Sequence, residues 1–129
     1  MPAGTMPAMR VSQFLLNLTS ERPARLFRFY RDTLGLEEEE FMGHAVKAGG
    51  ATLMFDSHSQ VHGGAREPQR YLINLVVDDL SAEQARIEAL GVSFIRRKGH
   101  EPWGARVSTL LDPDGNYVQL VEYHPEGMV

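Results

Sequence analysis

Cysteine is absent from the 129 residues of the chain. That excludes disulfides and thiolate metal centres and suits a reducing compartment; the expected location is the cytoplasm. No stretch approaches the roughly 18 consecutive apolar residues that a membrane-spanning helix needs, so no membrane partner is expected. Basic residues are in deficit, with 13 Lys and Arg against 17 Asp and Glu and a net charge of −4. Nucleic acid is not an expected partner either, because neutralising phosphates takes a basic face. The start, "MPAGTMPAMR", lacks the basic and apolar regions of a secretory signal, and residues 1–9 are expected to be a flexible leader. Also missing are a glycine-rich phosphate loop and any recognisable nucleophile motif.

The residues that are present describe an ordinary globular domain, 43% hydrophobic and 23% charged. At this length a single domain buries about two thirds of its unfolded surface. "VSQFLLNL" (residues 11–18) is rich in strand formers, with Gln13 and Asn17 on one face. Ser20 is positioned to cap a following helix, with Pro23 tolerated in its first turn. Leu26, Phe27, Tyr30 and Leu34 supply the apolar stripe of that helix, and Gly35 ends it. "LEEEEFMG", "HAVKAGG" and "ATLMFDSH" read as three short strands, and the polar "SQVHGGAREPQ" as a linker.

The pattern then recurs. "YLINLVVDD" is a second strong strand. Ser81 and Gln84 have the spacing of a capping box for a helix that runs to Gly91. "VSFIRR", "ARVSTLL" and "NYVQLVEY" follow as strands. Gln13 and Leu72 lie 59 positions apart and Gly35 and Gly91 lie 56 apart, so a βαβββ unit repeats at about 60 residues. Two such units predict one α+β domain.

"DPDGN", residues 112–116, places two aspartates in an acidic loop. A calcium-binding EF-hand loop starting at Asp112 would need glycine sixth and glutamate twelfth, where the chain has Tyr117 and Tyr123. With Pro113 and Gly115 between two strands, the segment is instead a predicted hairpin turn.

"FYRDTLGL" after the first strand and "EPWGARVSTLLDPDGNYVQLVEY" near the end together resemble the glyoxalase/bleomycin resistance/dioxygenase superfamily, the vicinal oxygen chelate proteins. The resemblance covers residues 10–124, with modules at about 10–60 and 70–124, and leaves 125–129 as a tail. It implies two βαβββ modules forming an incomplete barrel around a cup, often in homodimers. A homodimer is therefore expected. The sequence does not distinguish a cup within one chain from one shared by two.

In metal-dependent members the ligands come from the first and last strands of each module. By the resemblance those positions are Gln13, Met54, Leu72 and Gln119 here. Glutamine does serve as a ligand at the Gln13 position in some glyoxalases. A divalent cation, however, wants at least three imidazole, carboxylate or thiolate donors, and this set offers two neutral amides, a thioether and a hydrocarbon. No metal and no cofactor are expected.

Other chemistry-bearing residues have plainer readings. His58 and His62 are four apart but lie in a segment too rich in Ser and Gly for a helix face. His44, His100 and His124 fall near likely strand ends, with His44 and His100 able to approach the cup mouth. Arg22, Arg25, Arg28 and Arg31 spread over half a helix and read as a solvated face paired with acidic neighbours. Glu37–Glu40 read as a charged sheet edge. The sole tryptophan, Trp103, sits on an interstrand loop where an indole serves either packing or ligand contact.

The expected ligand site therefore comprises Gln13, Leu15, Met54, Leu72, Asn74, Trp103 and Gln119: mainly apolar, with a few amides to orient a guest. The expected function is metal-independent binding of an apolar or aromatic small molecule. The alternative is a divalent-metal-dependent lyase, isomerase or dioxygenase of the glyoxalase type using a rearranged site. A purely structural dimeric module ranks third.

Overall fold

A computed structural model describes residues 4, 6–40 and 43–124 of the chain. Parts of the expected leader, the whole expected tail at 125–129, and Phe41 and Met42 of the expected second strand lie outside the described residues. The repeat is realised as two βαβββ modules. The first comprises β1 (Phe14–Thr19), α1 (Pro23–Arg28), β2 (Glu37–Glu38), β3 (Ala45–Ala48) and β4 (Ala51–Asp56). The second comprises β5 (Ile73–Val76), α2 (Leu80–Ala89), β6 (Phe94–Glu101), β7 (Ala105–Leu111) and β8 (Tyr117–Tyr123).

Each module makes its own four-stranded mixed sheet, in the order β1-β4-β3-β2 and β5-β8-β7-β6. The first and last strands of each module, β1 with β4 and β5 with β8, run parallel, and the other neighbours are antiparallel. The fold class is α+β, as expected, and the sheets do not close into a barrel. β1 and β5 are terminal strands of their sheets.

One core joins the modules. Leu18, Val46, Leu53 and Phe55 of the first sheet and Leu110, Val118 and Leu120 of the second share it with Leu26, Phe27 and Tyr30 of the first helical segment and Leu80 and Ile87 of α2. Leu26, Tyr30, Leu80 and Leu110 are fully buried, each worth about 1.5–3 kcal/mol by transfer from water. A polar tie crosses the same boundary. The Tyr30 hydroxyl donates to Asp112 Oδ2 at 2.7 Å.

Two helix starts differ from expectation. Arg22 is the N-cap of α1, with Pro23 in the first turn; Ser20 acts earlier, its Oγ accepting from the Arg22 amide at 2.9 Å. Asp79, not Ser81, caps α2, accepting from the Ala82 amide at 3.1 Å. Gln84 is unavailable for a capping box because it is buried against Ser108. The first helix also loosens into a π-helical turn over Phe29–Thr33. It ends where expected, at Gly35, whose φ of +83° puts it in the left-handed region. Among the described residues no helix is long and apolar enough to cross a membrane.

Candidate functional site

Strand register decides which side chains share a face, because paired residues point the same way. In the first sheet Leu16 pairs with Leu53 and Leu18 with Phe55; Leu18, Leu53 and Phe55 belong to the core, and Leu16 lies on the same face, 37% exposed. The opposite face carries Leu15 beside Thr52 and Asn17 beside Met54. Gln13 lies just before β1, and its Nε2 donates to Thr52 Oγ1 at 3.4 Å, which ties it to that face. Lys47 continues the row from Thr52 and pairs with Glu37 at 3.2 Å and Glu39 at 4.0 Å. Three expected site residues, Gln13, Leu15 and Met54, thus share one face.

In the second sheet Val118, Leu120 and Leu110 point to the core. The other face bears Asn74 opposite Gln119, and Gln119 opposite Thr109. Gln119 Nε2 donates to the buried Thr109 Oγ1 at 3.1 Å. Trp103, in the β6–β7 turn, packs edge-on against Tyr123 with ring centroids 5.9 Å apart and is 58% exposed. Leu72 precedes β5 and is exposed.

Thr109 has a further register partner that simple alternation hides. Phe94 faces the core opposite Leu110, so two residues on, Arg96 should face it too. Instead β6 carries register shifts between Phe94 and Arg96 and between Arg96 and Gly99, and Arg96 stands opposite Thr109. A bulge inserts one residue and flips every side chain beyond it. A polar row Asn74–Gln119–Thr109–Arg96 therefore crosses the open face of the second sheet. The only sequence signal for this was "RRKGH", where a glycine interrupts a charged strand.

A cavity of about 730 Å³ lies between β1 and β5, walled by Phe14, Leu16, Leu53, Ile73, Leu75, Ile87 and Leu120. Leu72 and Asn74 border it; Gln13, Leu15, Met54, Trp103 and Gln119 do not. Its walls continue the core through Leu34, Leu53, Ile87 and Leu120.

The donor set does not suit a divalent metal. At the four positions implied for ligands stand two amides, each hydrogen-bonded to a threonine, a thioether and an alkyl group, none of them anionic. Among the described residues no group of three or more His, Cys, Asp or Glu converges. His44 stacks on Phe27 at 4.8 Å. His62 pairs with Glu21 at 3.1 Å, and exposed His58 accepts from the Gln60 amide. Arg25 pairs with Asp114 and Arg31 with Asp32 and Glu38, in line with a solvated, paired helix face.

"DPDGN" is a turn and not an ion site. Asp112 is buried and accepts from the backbone amides of Asp114 and Asn116, from the Asn116 side chain and from Tyr30. Burial is the largest influence on its carboxyl and raises its pKa, while these hydrogen bonds oppose that rise.

The model of the Glyoxalase/Bleomycin resistance protein/Dioxygenase superfamily matches residues 11–120. Among solved structures, TnmS3, an antibiotic binding protein from Streptomyces sp. CB03234, is 23% identical with a TM-score of 0.69, covering 91% of this chain and 100% of its own. Lactoylglutathione lyase from Agrobacterium tumefaciens is also 23% identical, with a TM-score of 0.65 and coverage of 90% and 95%. A glyoxalase/bleomycin resistance protein/dioxygenase from Nocardioides is 17% identical, with a TM-score of 0.70 and coverage of 94% and 89%. No curated protein matches the sequence. At these identities the structural likenesses establish the fold alone.

Proposed function

The chain belongs to the glyoxalase/bleomycin resistance protein/dioxygenase superfamily, and from that premise we propose that it is a metal-independent binding protein for an apolar or aromatic small molecule, acting as a homodimer. The observation that carries this reading is the donor chemistry. Gln13 and Gln119 offer only neutral amides, each donating one N–H to a threonine of its own sheet, and Met54 and Leu72 bring no charge to offset the desolvation of a doubly charged ion. The same residues suit an organic guest. Gln13, Asn74 and Gln119 orient its polar groups, while Leu15, Met54, Leu72 and Trp103 bury the rest. An antibiotic binding protein among the structural neighbours agrees with sequestration as one form of this activity.

The dimer is supported by what one chain leaves uncovered. On β1, Leu15 is 39% exposed on one face and Leu16 37% exposed on the other, and on β5 Val76 is 58% exposed. Apolar terminal strands with free backbone groups are normally covered. A second copy laid along β1 and β5 covers them and turns two open faces into walls of one cup.

The test is titration of Trp103 fluorescence against a panel of metabolites and antibiotics, with and without EDTA. Saturable quenching or a spectral shift that EDTA leaves unchanged is the expected result. No response to any compound, or turnover that EDTA abolishes, contradicts the reading; the latter favours the metal-dependent enzyme.

A further inference from the structure

On the open face of the second sheet, three separate features fix Arg96. First, the two register shifts in β6 turn it away from the core and opposite Thr109. The second shift costs backbone strain: Lys98 has a φ of +49°, uncommon for a residue with a side chain. Second, that irregularity is secured from behind. The Lys98 amide donates to Ser108 Oγ at 2.8 Å, and Ser108, fully buried, donates in turn to the buried Gln84 of α2. Third, Gly99 leaves room for the guanidinium. A Cβ at Gly99 would overlap Arg96 Nε, Cζ and Nη2. Across that gap Arg96 Nη1 pairs with Glu101.

A surface arginine that merely solvates a sheet needs none of this. Strained backbone and bulges concentrate where a side chain must be aimed. Glu101 engages Nη1 and the His100 carbonyl accepts from Nη2 at 3.5 Å; of the five N–H donors in the planar fork, three remain for a further acceptor. The side chain is 40% exposed, and Thr109, Gln119 and Asn74 extend from it in one polar row. Trp103 follows two residues beyond Glu101, in the β6–β7 turn, and packs against Tyr123.

We propose that Arg96 makes the site selective for an organic anion, an apolar or aromatic frame carrying one acidic group, with Glu101 and Gly99 holding the guanidinium in place. This deepens the small-molecule reading and rests on it. From Arg96 the register runs across the sheet through Thr109 to the amides of Gln119 and Asn74, and the chain runs through Glu101 to Trp103, an arrangement that suits a guest with an acidic group on a flat frame.

The experiment titrates the full chain with two fluorescent probes of one frame: 8-anilinonaphthalene-1-sulfonate, an anion, and N-phenyl-1-naphthylamine, which is neutral. The wild type is expected to hold the anion about tenfold more tightly, the scale of one charge-assisted hydrogen bond. Arg96→Met should erase that preference and leave the neutral probe within about twofold. Gly99→Ala should do likewise, because it displaces the guanidinium without removing its charge. Arg97→Met serves as the control, since Arg97 pairs with Glu88 of α2, and it should keep the preference. An unchanged preference in Arg96→Met, or equal affinity for the two probes in the wild type, overturns the role of Arg96 and leaves the small-molecule reading standing. Saturable binding of neither probe overturns both.

Discussion

Removing a single oxygen at the junction of the modules, by Tyr30→Phe, tests how the two halves are joined. The hydroxyl donates to Asp112 at 2.7 Å, with Tyr30 fully buried and Asp112 at 5% exposure. Asp112 keeps its three other donors, two backbone amides and the Asn116 side chain, so the carboxylate is not orphaned. The expected loss is therefore the net value of one hydrogen bond to a charged acceptor, about 1.5–3 kcal/mol. Urea denaturation at pH 7 should show a lower midpoint with an unchanged slope. The difference should also depend on pH. Burial first, and then the charge of Asp112, raise the Tyr30 pKa well above its ordinary 10.0. Above that value the unfolded chain loses the phenolic proton while the folded chain keeps it. The unfolded state then binds fewer protons, and wild-type stability falls as pH rises from about 10 toward the folded value. The variant lacks this titration, so the gap should narrow on the alkaline side. A variant within about 0.5 kcal/mol of wild type at pH 7, the range of a neutral surface change, would refute the reasoning. So would a gap that widens above pH 10.

Two other perturbations separate close alternatives. Asp79→Ala should cost about 1 kcal/mol in chemical denaturation, the value of a lost N-cap, whereas Ser81→Ala should cost far less; the reverse order would restore the capping box. Val76→Asp places a charge on the exposed face of β5 and should convert a dimer to a monomer in sedimentation equilibrium. A wild-type monomer at all concentrations, or a variant that remains dimeric, would remove the second copy from the account.

The architecture was legible because it is written in periodicities that survive local irregularity. The repeat of about 60 residues, the glycine ending the first helix and the turn at residues 112–116 all read directly from residue type and spacing. Alternation also put Gln13 and Asn17 on one face of the first strand, the face that Thr52 and Met54 share. It failed on β6. Two shifts within one strand moved Arg96 to the open face, and a one-residue slip leaves no trace in composition. The capping box failed for a related reason: Gln84 had a competing partner, Ser108, more than twenty residues away in sequence. Short-range patterns do not record a long-range claim on the same side chain.

The central claim is that amide and hydrocarbon groups hold the positions where related proteins hold a cation. Calorimetric titration of chelator-treated, tag-free protein with nickel, zinc and manganese tests it most directly. No stoichiometric uptake of any of the three is expected. One cation bound per chain, with the heat lost in both Gln13→Ala and Gln119→Ala, would contradict it.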